Sequence, residues 1–276
     1  MKNLFGFQDK RCLFTGCFSG MGEAAAQIVE SLGGSIVAVD LKRPTSYGFE
    51  AFHEVDLRDV TAIDEMLAAV KADGPIDRVF YCAGLPGTFP GLDVMGVNFV
   101  SLRHTLEKVV PSMTSDGAFV SISSAAGMGW QGLAQHTTAL FETASHAEGM
   151  KWVEENQAEP WLEPYSFSKA CTIGYTLWRG PSLTSEYGVR VNCIAPGPTD
   201  TPMMPAFIEQ AGAKFMQAYP RPIGRNSTAE EQGWTLAFLN SDAASYVSGE
   251  VLYTDGGAAA GMMTGSVTLD ASALGQ

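Results

Sequence analysis

The 276-residue sequence predicts an α/β fold, a doubly wound parallel sheet of seven strands with helices on both faces. Short apolar runs alternate along the chain with amphipathic helical stretches. The first of these runs is followed by a glycine turn, a helix and a second apolar strand within about thirty residues, which is a βαβ unit. No internal repeat, low-complexity tract or linker interrupts the pattern. We therefore expect a single domain spanning residues 1–276.

The seven predicted strands are apolar runs bounded by turn residues. In chain order they are RCLFTG, SIVAVD, AFHEVDL, IDRVFYCAG, GAFVSISSAAG, VRVNCIAPG and EVLYTDGG. Between the first two lies EAAAQIVESLGG, where Ala25, Ile28, Val29 and Leu32 share one helical face and glycine follows. TAIDEMLAAVKADG predicts another helix with a glycine stop. Crossovers between successive parallel strands are expected to be right-handed.

Two segments are longer than a minimal doubly wound domain requires. Residues 125–164 predict a largely helical insertion around LFETASHAEGMKWVEE, and residues 201–225 predict a substrate lid. Both follow strand ends of the kind where open α/β sheets bind ligands. The second segment carries an apolar stripe that suits either a mobile lid or a helix packed on the domain, namely Met203, Met204, Phe207, Phe215 and Met216.

Composition excludes several classes of partner. The chain has 17 Lys and Arg against 30 Asp and Glu, a net charge of −13, so it is repelled by nucleic-acid phosphates and by anionic membranes. No stretch approaches eighteen apolar residues, and the N-terminus has no secretory pattern. We expect a cytoplasmic protein that binds neither nucleic acid nor membrane.

Cysteines and histidines indicate no metal site. The five cysteines are odd in number and lack a C-x-x-C pair, which predicts buried, reduced thiols. The four histidines show no ligand spacing and are expected to be solvated surface residues, although the two in the insertion, His136 and His146, could touch substrate. The absence of a G-x-S-x-G elbow argues against a hydrolase triad.

The motif TGCFSGMG predicts a dinucleotide site after the first strand. Gly16, Gly20 and Gly22 permit a sharp turn and a close approach to a pyrophosphate at the start of a helix. Asp40, at the end of the second strand, can accept both ribose hydroxyls of NAD and would repel the 2′-phosphate of NADP. We therefore expect NAD, although the nearby Lys42 and Arg43 would suit a phosphate. Asp56 could accept from the adenine amino group, or could be only a capping or loop aspartate.

In PYSFSKA, Tyr165 and Lys169 lie one helical turn apart. Taken alone, such a pair is more often a surface contact than a site. Beside a nicotinamide, the ammonium would lower the pKa of the tyrosine, which could then take the alcohol proton. Ser124 could hold the substrate oxygen. Because adjacent strand residues face opposite ways, only one of Ser123 and Ser124 can reach it. Asn98 could bond a helix carbonyl and a water that reaches Lys169.

These motifs together resemble the classical short-chain dehydrogenases/reductases, which have a Rossmann fold. The matching pieces are TGCFSGMG, VDL, CAG, VN, SISSAAG, YSFSK, IAPGPTDTP and TDGG, which span nearly the whole chain. The resemblance implies a catalytic tetrad of Asn98, Ser124, Tyr165 and Lys169. It also implies that Ile194 and Thr201 hold the nicotinamide carboxamide and that Pro196 and Gly197 shape that turn. It adds further cofactor contacts, namely Ser19, Met21, Leu57, Ala83, Gly84 and Thr199.

The sequence departs from this family pattern at two places. Cys82 replaces an asparagine that supports the neighbouring strand in many members. Ser124 and Tyr165 are also further apart than in most members, which resembles a bacterial subgroup that includes 3α-hydroxysteroid dehydrogenase/carbonyl reductase and coniferyl-alcohol dehydrogenase. Members of that subgroup use NAD on secondary steroid alcohols or primary aromatic alcohols.

We therefore predict an NAD-dependent oxidoreductase of a hydrophobic secondary or aromatic alcohol, with Tyr165 as the acid and base. Two alternatives remain, namely epimerisation or dehydration with the same tetrad, and a non-catalytic dinucleotide-binding regulator. We also predict a homo-oligomer. A dimer through the last strand is favoured over a tetramer, because the insertion would cover part of the usual face of the tyrosine helix.

Overall fold

The computed structural model describes residues 3–269 and confirms the predicted seven-stranded sheet. The spatial order is β3-β2-β1-β4-β5-β6-β9, and every pairing in this sheet is parallel. The strands are β1 Arg11–Thr15, β2 Ser35–Asp40, β3 Ala51–Glu54, β4 Arg78–Tyr81, β5 Ala118–Ile122, β6 Arg190–Pro196 and β9 Val251–Thr254. From β1 the chain first adds β2 and β3 on one side of that strand. It then returns and adds β4 on the other side of β1. This reversal opens a ligand crevice at the carboxyl ends of the strands.

Helices cover both faces of the sheet. They are α1 Gly20–Ser31, α2 Val60–Ala72, α3 Gly91–Met95, α4 Ser101–Val109, α5 Ala134–Phe141, α6 His146–Asn156, α7 Pro164–Tyr187, α8 Met204–Ala211, α9 Ala213–Ala218, α10 Ala229–Asn240 and α11 Ala258–Thr264. One face is packed by α1 and α10, and the other by α2, α4 and α7. The central strands are apolar throughout because both of their faces are buried.

A small second sheet was not predicted. Strands β7 Thr199–Asp200 and β8 Ser227–Thr228 pair in parallel on either side of the 201–225 segment. Two-residue strands have no usable periodicity, so only the spatial approach of the two ends reveals them. The pairing brings the two ends of that segment together beside the end of β6.

Segment 125–164 is largely helical, but it is not one helix. After 3₁₀ turns at Ala125–Gly127 and Trp130–Leu133, α5 ends at Phe141 and α6 begins at His146. Ser145 caps α6, since its hydroxyl accepts a hydrogen bond from the Glu148 amide. The side chain of Phe141 lies against Tyr175 and Trp178 of α7, so α5 covers part of that helix.

The expectation of a solvated histidine is wrong for His146. Its ring is buried, and Nε2 lies 3.0 Å from the Ser101 hydroxyl. Burial and the neighbouring His104 and Arg103 lower the pKa of His146. The side chain points inward because α6 packs against the wide turn that precedes α4.

Within the part of the chain that the structure describes, all five thiols are free, and all except the half-buried Cys82 are buried. Among the same residues, no three His, Cys, Asp or Glu side chains gather as a metal site. No helix of residues 3–269 is both long and apolar enough to cross a membrane.

Candidate functional site

A cleft of about 660 Å³ opens at the carboxyl ends of the strands. Its floor is formed by the glycine turn and the ends of β4, β5 and β6. Segment 201–225 forms its far wall. Many of the predicted site residues line it, namely Ser19, Gly20, Met21, Gly22, Gly84, Ser124, Tyr165, Lys169, Pro196, Gly197, Thr199 and Thr201. The structure therefore brings together residues that lie up to about 180 positions apart in the sequence.

The turn between β1 and α1 has glycine at two positions with positive φ, Gly16 and Gly20. Gly16 has φ +71°, and a Cβ there would collide with the backbone of Ala83 at the end of β4. Gly20 has φ +65° and borders the cleft, where a Cβ would lie 3.6 Å from Thr201. Ser19 makes no side-chain cap, so the first amides of α1 stay available beside the cleft. This cradle fits a pyrophosphate.

Asp40 lies at the end of β2, next to the glycine turn. Its Oδ2 accepts a hydrogen bond of 2.9 Å from the Phe18 amide, and its Oδ1 accepts one of 3.3 Å from the Lys42 amide. The Arg43 guanidinium turns away and stacks 4.7 Å from the centre of the Phe49 ring. Arg43, a basic neighbour that would suit a phosphate, is thereby engaged elsewhere.

Asp56 and Leu57 follow β3 and are occupied by protein contacts. The Asp56 carboxylate pairs with the Arg58 guanidinium at 2.6 Å, and hydrogen bonds from Arg58 hold the pKa of Asp56 below its usual range. Neither residue is among those that line the cleft. Asp59, not Asp56, caps α2. The role of Asp56 toward an adenine amino group stays a prediction.

Tyr165 is positioned by the first turn of α7. Pro164 occupies the first helical position, and the Glu163 carboxylate accepts hydrogen bonds from the Tyr165 and Ser166 amides. Lys169 follows one turn later, with Nζ 5.7 Å from the centre of the Tyr165 ring. On the opposite side, the Phe207 ring of α8 meets Tyr165 edge-on at 5.2 Å.

Burial dominates the ionisation of this pair. It raises the pKa of Tyr165 to about 12, and a hydrogen bond with Ser124 opposes that rise. It lowers the pKa of Lys169 to about 8. The expected lowering of the tyrosine pKa stays a prediction for this pair together with a bound nicotinamide.

The two adjacent serines have different partners. Ser124 borders the cleft and shares a hydrogen bond with Tyr165. Ser123 is buried, and its hydroxyl donates to the Lys169 carbonyl at 2.8 Å. The Lys169 ammonium donates to the Ile122 carbonyl at 2.9 Å, so β5 and α7 are joined by bonds on both sides of the site. Both serines are among the residues that line the cleft, and they differ in that the Ser123 hydroxyl is engaged by the Lys169 carbonyl.

Asn98 lies behind the cleft in a wide π-helical turn, Gly96–Val100. Its Oδ1 accepts from the Leu85 amide at 2.7 Å, and its Nδ2 donates to the Leu85 carbonyl at 3.0 Å. The expected helix-carbonyl partner is wrong, because the carbonyl belongs to the loop after β4. Gly84 separates Asn98 from Lys169: a Cβ there would lie 3.3 Å from Asn98 Oδ1 and 3.6 Å from Lys169 Nζ.

The remaining predicted residues support the cleft from outside its lining. Ile194 is buried within β6, and its carbonyl accepts from the Ser123 amide at 2.8 Å. Ala83 packs against Gly16. The residues predicted as cofactor or catalytic groups that do not line the cleft are Gly16, Asp40, Asp56, Leu57, Ala83, Asn98 and Ile194.

Three polar residues of the site escaped the sequence prediction. Glu163 was visible as an acid before a Pro-Tyr helix start, a capping signal. Gln210 of α8 accepts from the Gly87 amide at 2.9 Å and donates to Glu163 at 3.4 Å. Tyr219 lines the cleft at the end of α9. The last two depend on tertiary contacts and carry no local signal.

Two sequence models of known families match the chain. The model described as short chain dehydrogenase matches residues 10–141, and the one described as enoyl-(acyl carrier protein) reductase matches residues 129–259. Together they cover the glycine turn, the Tyr165 helix and the strands from β1 to β9.

Similar proteins cover nearly the whole chain. Coniferyl-alcohol dehydrogenase of a Pseudomonas species is 30% identical across 91% of this chain and 97% of that protein. The 3-alpha-hydroxysteroid dehydrogenase/carbonyl reductase of Comamonas testosteroni is 30% identical across 89% and 95%. A crystal structure of 3-alpha-hydroxysteroid dehydrogenase from another Pseudomonas, complexed with NADH, superposes with a TM-score of 0.77 at 24% identity, covering 94% of this chain and all of that one.

Proposed function

The chain belongs to the short-chain dehydrogenase/reductase family, and we propose that it is an NAD-dependent oxidoreductase acting on a hydrophobic secondary or aromatic alcohol. The matching family model and relatives confirm the resemblance stated from the sequence. They also support an oxidoreductase of the short-chain type. The observation that carries the finer proposal is the position of Tyr165, Ser124 and Lys169 on a cleft whose opposite wall is apolar.

The residues at the glycine turn fit NAD better than NADP. The Asp40 carboxylate beside the cradle can accept from ribose hydroxyls and repels an added phosphate. Arg43, the basic group that could compensate, is engaged with Phe49 and Phe52. Lys42 lies 5.4 Å from the Phe18 ring centre. These contacts support NAD, in keeping with the NADH bound to the 3-alpha-hydroxysteroid dehydrogenase relative.

In this proposal, a bound nicotinamide supplies the hydride acceptor and a positive charge. Ser124 orients the alcohol oxygen, and Tyr165 takes its proton. Because burial raises the pKa of Tyr165 to about 12, the phenol needs nearby positive charge to ionise. The buried Lys169 ammonium is the nearest cation that the chain itself provides. Asn98 holds the Leu85 loop beside that lysine.

The wall contributed by segment 201–225 indicates an apolar substrate. Thioether and aromatic side chains line it, namely Met203, Met204, Phe207, Phe215 and Met216, and Met262 of α11 joins them. Methionine side chains adapt to irregular apolar shapes. We therefore assign this segment as the substrate lid, and segment 125–164 as an insertion that packs on α7. Steroid-like or aryl alcohols match the lining chemistry, and the two curated relatives act on compounds of these classes by name.

The test is NADH formation by the purified protein with a panel of steroid and aromatic alcohols, followed by its absorbance. Steady NADH production supports the dehydrogenase. Tight NAD binding without turnover would support the non-catalytic regulator instead. Isomerised or dehydrated product without net NADH would support the epimerase or dehydratase alternative.

Tyr165→Phe should remove most turnover and leave NAD affinity nearly unchanged. The substitution deletes one hydroxyl and keeps the ring contact with Phe207. General acid–base catalysis contributes roughly 10²- to 10⁴-fold. Tyr246→Phe, at a fully exposed tyrosine, is the matched control and should retain activity. Wild-type turnover by Tyr165→Phe would show that the proton role is assigned to the wrong residue.

We also propose a homodimer formed around β9 and α10. Strand β9 is an edge of the sheet, and Trp234 of α10 is an exposed aromatic side chain. On the α7 face, by contrast, Phe141 from the insertion already covers Tyr175. The insertion thus reduces the helix surface available for a second contact of the kind needed in a tetramer.

A further inference from the structure

The loop that follows β3 is held by a side chain of α4. The Ser101 hydroxyl donates a hydrogen bond of 2.7 Å to the Leu57 carbonyl, and both residues are buried. Asp56 and Leu57 of this loop are among the residues predicted to contact the dinucleotide. The hydrogen bond therefore fixes the main chain at a point where a small shift would alter a predicted cofactor contact.

Helix α6 of the insertion reaches the same serine through a histidine. His146 is the first residue of α6, and its Nε2 lies 3.0 Å from the Ser101 hydroxyl oxygen. A serine hydroxyl has one hydrogen, and the Leu57 carbonyl can only accept, so that hydrogen is given to Leu57. The Ser101 oxygen therefore accepts from the Nε2–H group of a neutral His146. A continuous chain of hydrogen bonds runs from His146 to Leu57.

The position of α6 beside α4 is fixed by Arg103, which is buried. Its guanidinium donates to the Leu140 carbonyl at 2.7 Å, to the Thr143 hydroxyl at 2.6 Å and to the Ser145 carbonyl at 2.8 Å. These bonds hold the end of α5, the connection and the cap of α6. Gly149 permits the close approach of α6, because a Cβ there would lie 2.9 Å from the guanidinium. The histidine contact is therefore part of a buried network.

The groups around His146 oppose a positive charge on its ring. Burial and the charges of His104 and Arg103 lower the pKa of His146. The Asp64 carboxylate of α2 acts in the opposite sense, but it is bound to His104 Nε2 at 2.7 Å. A protonated His146 would be a buried cation beside two basic side chains. Protonation therefore favours withdrawal of the ring toward water, which breaks its hydrogen bond with the serine.

The other helices that pack against α6 carry two ionisable side chains, and both have their own partners. Asp93 of α3 pairs with Arg58 at 3.2 Å, and His136 of α5 stacks on the Trp161 ring at 3.8 Å between centres. On α6 itself, the Glu148 carboxylate accepts from the Ala144 amide at 2.9 Å. The charge balance at the buried histidine is therefore set mainly by the groups of α2 and α4.

We propose that His146 is a positioning residue by which the insertion holds the loop after β3 in shape for the dinucleotide, through Ser101 and the Leu57 carbonyl. This inference rests on the proposed function, because it requires a dinucleotide at that loop. His146 is not among the residues that line the cleft, so it acts through the serine.

The consequence is an affinity for NAD that depends on pH. A neutral His146 donates to Ser101 and the loop is held. Because the pKa of His146 is lowered, the ring takes up a proton only below about pH 6.5, the ordinary value for histidine. The loop then loses this support, and NAD affinity falls as the pH decreases.

The experiment measures the NAD dissociation constant by calorimetry from about pH 7 to about pH 5, a range in which Lys169, with a pKa of about 8, stays charged. His146→Phe and Ser101→Ala each break the chain of hydrogen bonds. Both should bind NAD about fivefold more weakly at every pH, because a net hydrogen bond contributes about 1 kcal/mol. The wild-type protein should bind more tightly than both at pH 7 and approach their affinity at pH 5.

His146→Gln is the matched rescue variant. Its side-chain amide can donate to the Ser101 oxygen and does not titrate, so NAD affinity should equal the wild-type value at pH 7 and stay there at pH 5. His136→Gln, at the histidine stacked on Trp161, should follow the wild-type curve. A histidine with a purely structural role would change the unfolding midpoint on substitution by Phe and leave these binding curves unchanged.

The other outcomes overturn the inference. Wild-type affinity that does not change with pH, or a fall that persists in His146→Gln, removes His146 as the titrating group. Wild-type affinity of His146→Phe at pH 7 shows that the ring does not support the loop. If His146→Phe fails to fold, the comparison of wild type with His146→Gln gives the same decision. If the wild-type protein binds no NAD at pH 7, the proposed function fails first, and the inference fails with it.

Discussion

At the scale of single residues, the site depends on charged groups that are kept out of water. Lys169 is almost fully buried and donates to the Ile122 carbonyl, while Tyr165 is buried beside it. Burial moves both pKa values toward the neutral forms, and a cation near the phenol has to reverse that preference. The proposed chemistry therefore depends on buried ionisable groups whose desolvation lowers the stability of the free protein.

Lys169→Met should reveal the cost of burying this ammonium as a pH dependence of the free energy of unfolding. The folded pKa of Lys169 is about 8 and the unfolded value is near 10.4, so above pH 8 the unfolded chain binds more protons. From pH 8 upward, wild-type protein should therefore gain up to about 1.4 kcal/mol per pH unit from this group. The variant lacks that gain.

The measurement is urea unfolding of both proteins from about pH 7 to about pH 9.5. The free energy of unfolding of the variant relative to wild type should be constant below pH 8 and should decline above it. The buried Cys12 thiol, whose pKa is raised by burial, is shared by both proteins, so its contribution cancels in the difference. A difference that is independent of pH would contradict the lowered pKa.

Asp40→Ala should weaken NAD binding and relax discrimination against NADP. The change removes the acceptor proposed for the ribose hydroxyls and a charge that repels phosphate. We expect a loss of about tenfold in NAD affinity for each hydrogen bond removed. Asp40→Asn is the matched control, because its amide oxygen can still accept from the Phe18 amide. Wild-type protein that already prefers NADP would show that Lys42 or Arg43 outweighs Asp40.

At the scale of elements, helix α8 is coupled to the start of α7. Phe207 packs on Tyr165, and one turn further Gln210 bridges the Gly87 loop and Glu163, the cap of α7. Glu163 thus serves both helices. Through Gln210 the lid is attached to the N-terminus of α7, next to Tyr165, the proposed catalytic residue.

Gln210→Ala should raise KM for the alcohol by about three- to tenfold and leave NAD affinity unchanged. One polar bridge between lid and rim is lost, and a net hydrogen bond of this kind contributes about 1 kcal/mol. Cleavage within 201–225 by added protease should become faster, because the lid opens more often. Glu209→Ala, at the exposed neighbour, is the control. If cleavage became faster while KM stayed unchanged, the Gln210 bridge would order the lid without contributing to substrate binding.

At the scale of the whole molecule, two faces could join copies of the chain. One is the β9 edge with α10, where Trp234 is exposed, and the other is the α7 face, where Trp178 is exposed beside Phe141. The insertion occupies part of the second face. We therefore expect only the first to form a two-fold contact.

Light scattering should give twice the 29.4 kDa chain mass at micromolar concentration. Trp234→Glu places a charge in the proposed contact and should shift the mass toward one chain. Trp178→Glu, on the face occupied by the insertion, should keep the dimer. A tetramer, or dissociation by Trp178→Glu alone, would show that α7 forms a subunit contact.

The sequence by itself determined the strands, the glycine turn and the spacing of Tyr165 and Lys169. These features depend on periodicity and turn chemistry within a few residues, which the chain carries locally. Strand alternation required that only one of Ser123 and Ser124 reach the site, and the preference for Ser124 came from the resemblance to the family's paired serines. For the same reason the number of strands and their parallel direction followed from the alternation of strands and helices, whereas their spatial order came only from the structure.

Only the tertiary structure decided which partner each polar group meets. Gln210 and Gly87 are 123 residues apart, and no sequence pattern near either residue predicts the hydrogen bond between them. The stacking of Arg43 and the inward position of His146 likewise depend on which elements pack together. The burial that raises the pKa of Tyr165 is likewise a property of the folded chain, and no local sequence pattern carries it.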